Sequence, residues 1–211
     1  MKKITKKKHL EMKLQSIPPH KNPKVNLEQY TTPAIIASDL IWNAYSLGDI
    51  ENKNILDFGC GSGIFTFASA LMGANFACGV DVDEDSIQLA EQYLQKLRLD
   101  NVNFILSDVM DFNCGFEVDT IIQNPPFGSQ KMANGGEDLN FVKKACKLNP
   151  DVLYSFHMAS TEEFLIDFYR NYDLNITHIF RYNFPIPKIY EFHTKEKQNV
   201  NVIVFRAILD F

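Results

Sequence analysis

Asn124, Pro125, Pro126 and Phe127 follow one another directly after the apolar run Asp119-Thr120-Ile121-Ile122. A short run of that kind reads as a buried strand. The prolines stop it, because proline cannot donate to a ladder and fixes its own φ. The expected product is a stiff turn at the C-terminal end of a strand, offering an amide, backbone carbonyls and an aromatic face together. Such a set suits a flat group with an exocyclic amine, since carbonyl oxygens accept from N–H and the ring stacks. Taken alone, the same residues also make an ordinary turn with Phe127 tucked inward.

A second group lies upstream. Asp57-Phe58-Gly59-Cys60-Gly61-Ser62-Gly63 closes one strand-like run and opens a helical one. Glycines allow a sharp turn and close approach of a ligand to the backbone, and a helix start favours an anionic group. The spacing is G-x-G-x-G, which differs from the dinucleotide fingerprint. Asp81 ends the next strand-like run, where a carboxylate can accept from ribose hydroxyls. Asp108 ends the third and can meet an adenine edge together with the backbone of Val109. Each piece has a milder reading: glycines mark many turns, and Asp81, Asp83 and Asp85 can simply cap the following helix. Together, in order and at strand ends, they predict a site for an adenosine-bearing ligand.

Positioning these groups needs alternating strands and helices. Strand-like runs fall at 54–58, 76–82, 103–107, 119–123, 152–157, 176–183 and 200–209, and helical patterns at 34–45, 63–72, 84–98, 138–148 and 160–171. The fold class expected is α/β, a doubly wound, mostly parallel seven-stranded sheet. The last two strands, joined without a helical pattern, should pair antiparallel at one edge. Thr32 before Pro33 reads as a helix N-cap followed by the first helical residue. His157, ending a buried run, reads as a satisfied core histidine.

The chain has 211 residues and a net charge of −5. That charge hides an asymmetry: residues 1–24 hold eight lysines and one glutamate, a balance of +7, so the rest carries −12. Any nucleic-acid contact is therefore expected to be local. Residues 1–24 read as a basic extension, a loose helix over 1–15 or a frayed, solvated tail, and residues 25–211 as the catalytic domain. The four cysteines are scattered and form no C-x-x-C pair, so no metal site or disulfide framework is expected. No apolar run approaches the ~20 residues of a membrane span, and the lysine-rich start lacks the features of a secretory signal. A cytoplasmic setting is the expectation.

The motifs resemble those of class I S-adenosylmethionine-dependent amino-methyltransferases, which have a Rossmann-like fold. More closely, Leu27-Glu28-Gln29-Tyr30-x-Thr32, Asp57-x-Gly59-Cys60-Gly61, Asp81-x-Asp83-Glu84-Asp85, Asn124-Pro125-Pro126-Phe127-Gly128 and Tyr190-x-Phe192-His193 are similar to the methyltransferase-like family that modifies adenine N6 in small-subunit ribosomal RNA, in the pattern shared by archaeal and eukaryotic members. The resemblance spans nearly the whole chain. It implies S-adenosylmethionine as cofactor, contacted by Gln29, Thr32, Gly59, Gly61, Ser62, Asp81, Asp108 and Val109. It also implies a small zinc-binding activator subunit that adds strands to an exposed sheet edge.

The chemistry expected is positional. The Asn124 side-chain oxygen and the Pro125 carbonyl would each accept one amine hydrogen and aim the nitrogen lone pair at the methyl, with Pro126 stiffening the turn. Phe127 would stack on the base and Tyr30 would form a second wall. RNA contacts would come from the lysine tail, the loop 129–137, and Arg181, Lys188, His193, Lys195 and Lys197. Two other readings stay open: a methyltransferase acting on a protein glutamine amide, and a non-catalytic cofactor-binding scaffold for RNA assembly.

Overall fold

The computed structural model describes residues 4–19, 23–24, 27–126, 136–187 and 197–209, with backbone alone at 186–187 and 197–198. Phe127, Lys188, His193 and Lys195 lie outside the described residues, as does the side chain of Lys197. The elements, in order, are α1 (Lys7–Leu14), α2 (Ala34–Ser46), β1 (Asn54–Phe58), α3 (Ile64–Leu71), β2 (Phe76–Asp81), α4 (Glu84–Leu97), β3 (Val102–Leu106), β4 (Thr120–Gln123), α5 (Glu137–Lys147), β5 (Val152–Met158), α6 (Glu162–Arg170), β6 (Leu174–Pro187) and β7 (Lys197–Leu209).

The seven strands form one sheet in the order β3-β2-β1-β4-β5-β7-β6. The first five are parallel to their neighbours. β7 runs antiparallel to both β5 and β6, so the antiparallel pairing expected at one edge is present, with β6 outermost. Side chains alternate between the two faces, as the strand period requires. In β1, Ile55 joins the core under α1 to α4, whereas Leu56 and Phe58 join the core under α5 and α6. Burial on both faces is why these strands are continuously apolar rather than alternating.

Two local expectations are corrected. The cap of α2 is Pro33, not Thr32, and helix begins one residue later, at Ala34. Pro33 has extended ψ here and contributes its carbonyl to the first helical bonds, while the Thr32 hydroxyl is engaged by Asn124. The described part of the basic segment is also not a frayed tail. Leu10, Leu14 and Ile17 are buried in the same core as α2 and α3, so α1 is part of the domain. Three apolar residues on one face outweigh the repulsion among lysines that point to water. Among the described residues, no helix is long and apolar enough to cross a membrane.

Candidate active site

β1 and β4 are parallel neighbours, with Phe58 opposite Gln123. The strand order reverses between them, and open α/β sheets bind ligands outside the carboxyl ends of their strands at that point. The glycine turn leaving β1 and Asn124 leaving β4 therefore emerge side by side. A cavity of about 420 Å³ opens there.

Its floor is the glycine turn with Ser62, and Asp81, Asp108 and Val109 line the side above β2 and β3. Gly59 adopts φ +67°, and a Cβ built on it would meet the Phe141 ring at 3.5 Å, so a side chain here would be strained and would fill the gap between turn and ring. Asp81 is fixed by backbone donors: Gly61 N at 2.7 Å on one oxygen and Asp83 N at 2.9 Å on the other. A carboxylate held through both oxygens is fixed in orientation at the cavity wall. Asp108 is similarly set by Met110 N at 2.8 Å.

At the start of α3, one of the N–H groups that the glycine turn was expected to offer is already used inside the fold. The buried Asp57 carboxylate accepts from Thr66 N at 2.9 Å and Thr66 Oγ1 at 2.7 Å, taking the third N–H of the helix for itself. Burial pushes the Asp57 carboxyl up to about 7, against the Thr66 hydrogen bonds.

Residues 27–32 form the opposite wall. Gln29 lines it, but its amide is spent on the fold: Oε1 accepts from Lys24 N at 2.8 Å, and Nε2 donates to Asp83 Oδ2 at 2.8 Å. Asp83 caps α4 through Ser86 N, as the milder reading expected, and also pairs with Lys24. Burial works to raise the Asp83 carboxyl, but the bonds from Lys24, Ser86 and Gln29 hold it well below the usual carboxylate range. The wall is thereby tied to the end of β2. Tyr30, as expected, lines the cavity, and its ring meets Phe184 of β6 edge-to-face at 5.4 Å.

Asn124 lines the cavity, and its Nδ2 donates to Thr32 Oγ1 at 3.2 Å. Its Oδ1 is buried and accepts no hydrogen bond among the described residues. A buried carbonyl oxygen without a donor costs about 1–3 kcal/mol, so this atom is complementary to an N–H that arrives with a ligand. Pro126 lines the cavity beside it; Pro125 is buried and lies outside the lining. The expected second acceptor at Pro125 is thus not among the groups brought together here.

Sequence reasoning missed the α5 wall. Glu137, Asn140 and Phe141 line the cavity, although α5 starts 13 residues after Asn124. Apolar residues beside the acidic positions, Val82 and Met110, were missed as well. Their signal was available: Val82 and Met110 are large apolar residues just past strand ends, and both remain exposed. Arg181 sits away from this lining, paired with Glu162 of α6 at 2.6 Å.

A sheet of this order with a glycine turn, a strand-end aspartate and a donor-seeking amide at its switch point defines a class I methyltransferase architecture. A methyltransferase-domain family model matches residues 49–163. Uncharacterized protein MJ0284 of Methanocaldococcus jannaschii is 38% identical, covering 96% of this chain and 94% of its own. The rRNA N(6)-adenosine-methyltransferase METTL5 of Danio rerio is 30% identical, covering 95% and 98% respectively. The crystal structure of PH1948 from Pyrococcus horikoshii superposes with a TM-score of 0.88 at 36% identity, over 99% of this chain and all of that one. The chain belongs to the methyltransferase-domain family, and S-adenosylmethionine is its cofactor. The residues present fit that group: a glycine cradle that a Cβ would fill, a backbone-oriented carboxylate, and apolar side chains at Val82, Val109 and Met110.

Proposed function

We propose that this protein transfers a methyl group from S-adenosylmethionine to N6 of an adenine in structured RNA, with small-subunit ribosomal RNA as the source. One observation carries the reading: Asn124 Oδ1 is a buried acceptor without a donor among the described residues, in the wall of the cavity that the glycine turn floors. An exocyclic amine supplies the missing donor. The relatives named as rRNA N6-adenosine methyltransferases, matched along almost their full length, support the choice of an adenine in rRNA over a glutamine amide.

S-adenosylmethionine supplies an electrophilic methyl on a sulfonium. Asn124 accepts one amine hydrogen and thereby turns the nitrogen lone pair away from the ring and toward the donor. Thr32 holds the Asn124 amide by its nitrogen, so the oxygen is left for substrate. Tyr30 walls the base on one side, and Phe127 is assigned the stacking face. Pro125 and Pro126 keep the turn stiff, so little reorganisation is needed during reaction. No strong base is required, because the nitrogen becomes acidic as the new bond forms. The base must leave its stack, which favours a loop or distorted segment.

RNA reaches the site over cationic surface. Lys6, Lys8 and Lys13 are exposed on or beside α1. β7 continues through residues 197–201 before it meets Met158 at the end of β5, paired there with β6. Five residues at ~3.3 Å each carry the hairpin roughly 16 Å past the sheet's carboxyl edge. Lys188, His193, Lys195 and Lys197 are assigned to RNA contact. A small zinc-binding activator is the proposed partner, adding a strand at β3, where Leu106 is 51% exposed beside the cavity mouth. The setting proposed is cytoplasmic.

The test is Asn124→Ala, assayed for S-adenosylmethionine affinity and for labelled-methyl transfer to ribosomal RNA, DNA and a release-factor protein. The expected result is RNA labelling by the wild type and a loss of at least ~100-fold in the variant, with cofactor affinity retained. Label on protein alone would replace the RNA reading with the glutamine one, and no label on anything would favour a scaffold.

A further inference from the structure

The inner stripe of α5 carries one residue unlike the rest. Asp138, Val142 and Ala145 fall at the i, i+4, i+7 spacing of one helix face, and Val142 and Ala145 are fully buried. An apolar side chain would suit the first position as well. Instead the Asp138 carboxylate meets His157 Nδ1 of β5 at 2.9 Å through one oxygen and accepts from Leu139 N at 2.9 Å through the other. His157 Nε2 meets the Tyr169 hydroxyl of α6, also at 2.9 Å. His157 and Tyr169 are fully buried. The histidine is satisfied, as the sequence led us to expect, but its partners come from α5 and α6.

Donors and acceptors here fit in one direction. A carboxylate only accepts, so His157 Nδ1–H donates to Asp138 and Nε2 is left as an acceptor. Burial pushes the Tyr169 phenol above its ordinary value, so its O–H stays in place to donate to Nε2. The imidazole plane is held too: Tyr169 meets it edge-to-face at 5.7 Å, and Phe205 of β7 packs against it at 5.9 Å. A buried carboxylate with polar partners contributes little net stability, because desolvation offsets much of the gain. What it supplies over apolar residues of like volume is direction, since a hydrogen bond tolerates only a narrow range of distance and angle.

Direction matters at the first turn of α5. Its cap, Gly136, has no side chain to close it, and the apolar anchors Val142 and Ala145 come one and two turns after Asp138. Yet Glu137, Asn140 and Phe141 line the cavity, and the Phe141 ring lies where a Cβ on Gly59 would meet it at 3.5 Å. Further along, Lys144 Nζ donates to the Met110 carbonyl at 2.9 Å, so the same helix also bears on the Asp108–Met110 side. We infer that Asp138, His157 and Tyr169 form a positioning element for the cofactor site. They set the first turn of α5 against β5 and α6, and through it the Phe141 ring against the glycine turn. None of the three lines the cavity, so each acts through α5. The inference rests on cofactor binding in this cavity and not on the choice of methyl acceptor.

The test is calorimetric binding of S-adenosylhomocysteine to the full chain, with no RNA present. Asp138→Ala removes the acceptor, Tyr169→Phe removes the far donor and keeps the ring, and Asp138→Asn keeps an acceptor oxygen for His157 Nδ1–H. Asp138→Ala is expected to weaken binding about tenfold, Tyr169→Phe to weaken it several-fold, and Asp138→Asn to recover most of the loss. Asn also lacks the charge, so its recovery separates the hydrogen bond from the helix-dipole contribution of an acidic first turn. In a Phe141→Ala background, Asp138→Ala should weaken binding no further, because its effect passes through that ring. Without ligand, amide exchange in Asp138→Ala and Tyr169→Phe should quicken at Asn140 and Phe141 and stay unchanged in β1 and β2. A merely structural role predicts a lower urea midpoint with affinity unchanged. That result, Asp138→Asn binding no better than Asp138→Ala, or additive losses in the double variant would overturn the inference.

Discussion

Asp57 sits at the end of β1 with 1% of its surface exposed and one oxygen, Oδ1, without a partner among the described residues. Burial raises its carboxyl to about 7, so between about pH 4 and 7 the folded chain holds a proton that the unfolded chain has lost. Stability then falls as pH rises through that window, in contrast to a salt-bridged aspartate. Asp57→Asn, which keeps an acceptor for Thr66, should gain on the wild type across it by up to about 4 kcal/mol, since each unit is worth about 1.4 kcal/mol. Urea midpoints of both proteins at several pH values check this; parallel curves would count against it. Gly63 gives a second prediction at this scale. It has φ +83°, and a Cβ would lie 2.7 Å from the Phe104 ring and 3.1 Å from Phe67. Gly63→Ala should cost roughly 2–4 kcal/mol from strain and overpacking combined, measured by chemical denaturation.

At the scale of elements, α1 has two separable duties. Its apolar face is core: Leu14 is 2% exposed, and Leu14→Ala should cost about 2–4 kcal/mol. Its lysines face water, and replacing Lys6, Lys8 and Lys13 by Gln should leave stability within ~0.5 kcal/mol. The same triple variant should weaken RNA binding and flatten its salt dependence, the slope falling by roughly 0.7 for each phosphate no longer neutralised. Deleting residues 1–24 would confound these effects, because it also removes Leu10, Leu14, Ile17 and the Lys24–Asp83 pair. The wall of residues 27–32 depends on that pair and on Gln29. Gln29→Ala should lower cofactor affinity several-fold through loss of the Asp83 anchor, and calorimetry with S-adenosylhomocysteine would show an unchanged Kd if the anchor were idle.

At the scale of the molecule, the sheet has two open edges of unlike character. β6 is 14 residues long and β3 only five. β6 carries polar breaks at Asn175, Thr177, Arg181 and Asn183, which suit an edge that must not pair. β3 ends in exposed Leu106 next to the exposed Met110 of the cavity lining. A partner strand there would cover apolar surface and brace the cavity mouth together. Leu106→Asp is expected to abolish association with the proposed activator while leaving the lone chain's melting temperature near wild type; co-purification of the variant with that partner would remove β3 as the docking edge.

The sequence by itself determined the alternation of elements, the glycine turn, and the placing of Asp81, Asp108 and Asn124 at strand ends. These are local properties: a run of apolar residues, a proline stop or a glycine at positive φ reports on its own neighbourhood. It could not supply the wall from α5 or the use of Gln29 and Asp57 as internal anchors. Nor could it show that the described basic helix is core on one side. Those depend on which groups meet in space, nine residues apart for Asp57 with Thr66 and tens of residues apart for Gln29 with Asp83 or Gln123 with Ser155. A buried polar group must find a partner wherever the fold brings one, and only the packed chain decides which atom that is and which, like Asn124 Oδ1, is left waiting.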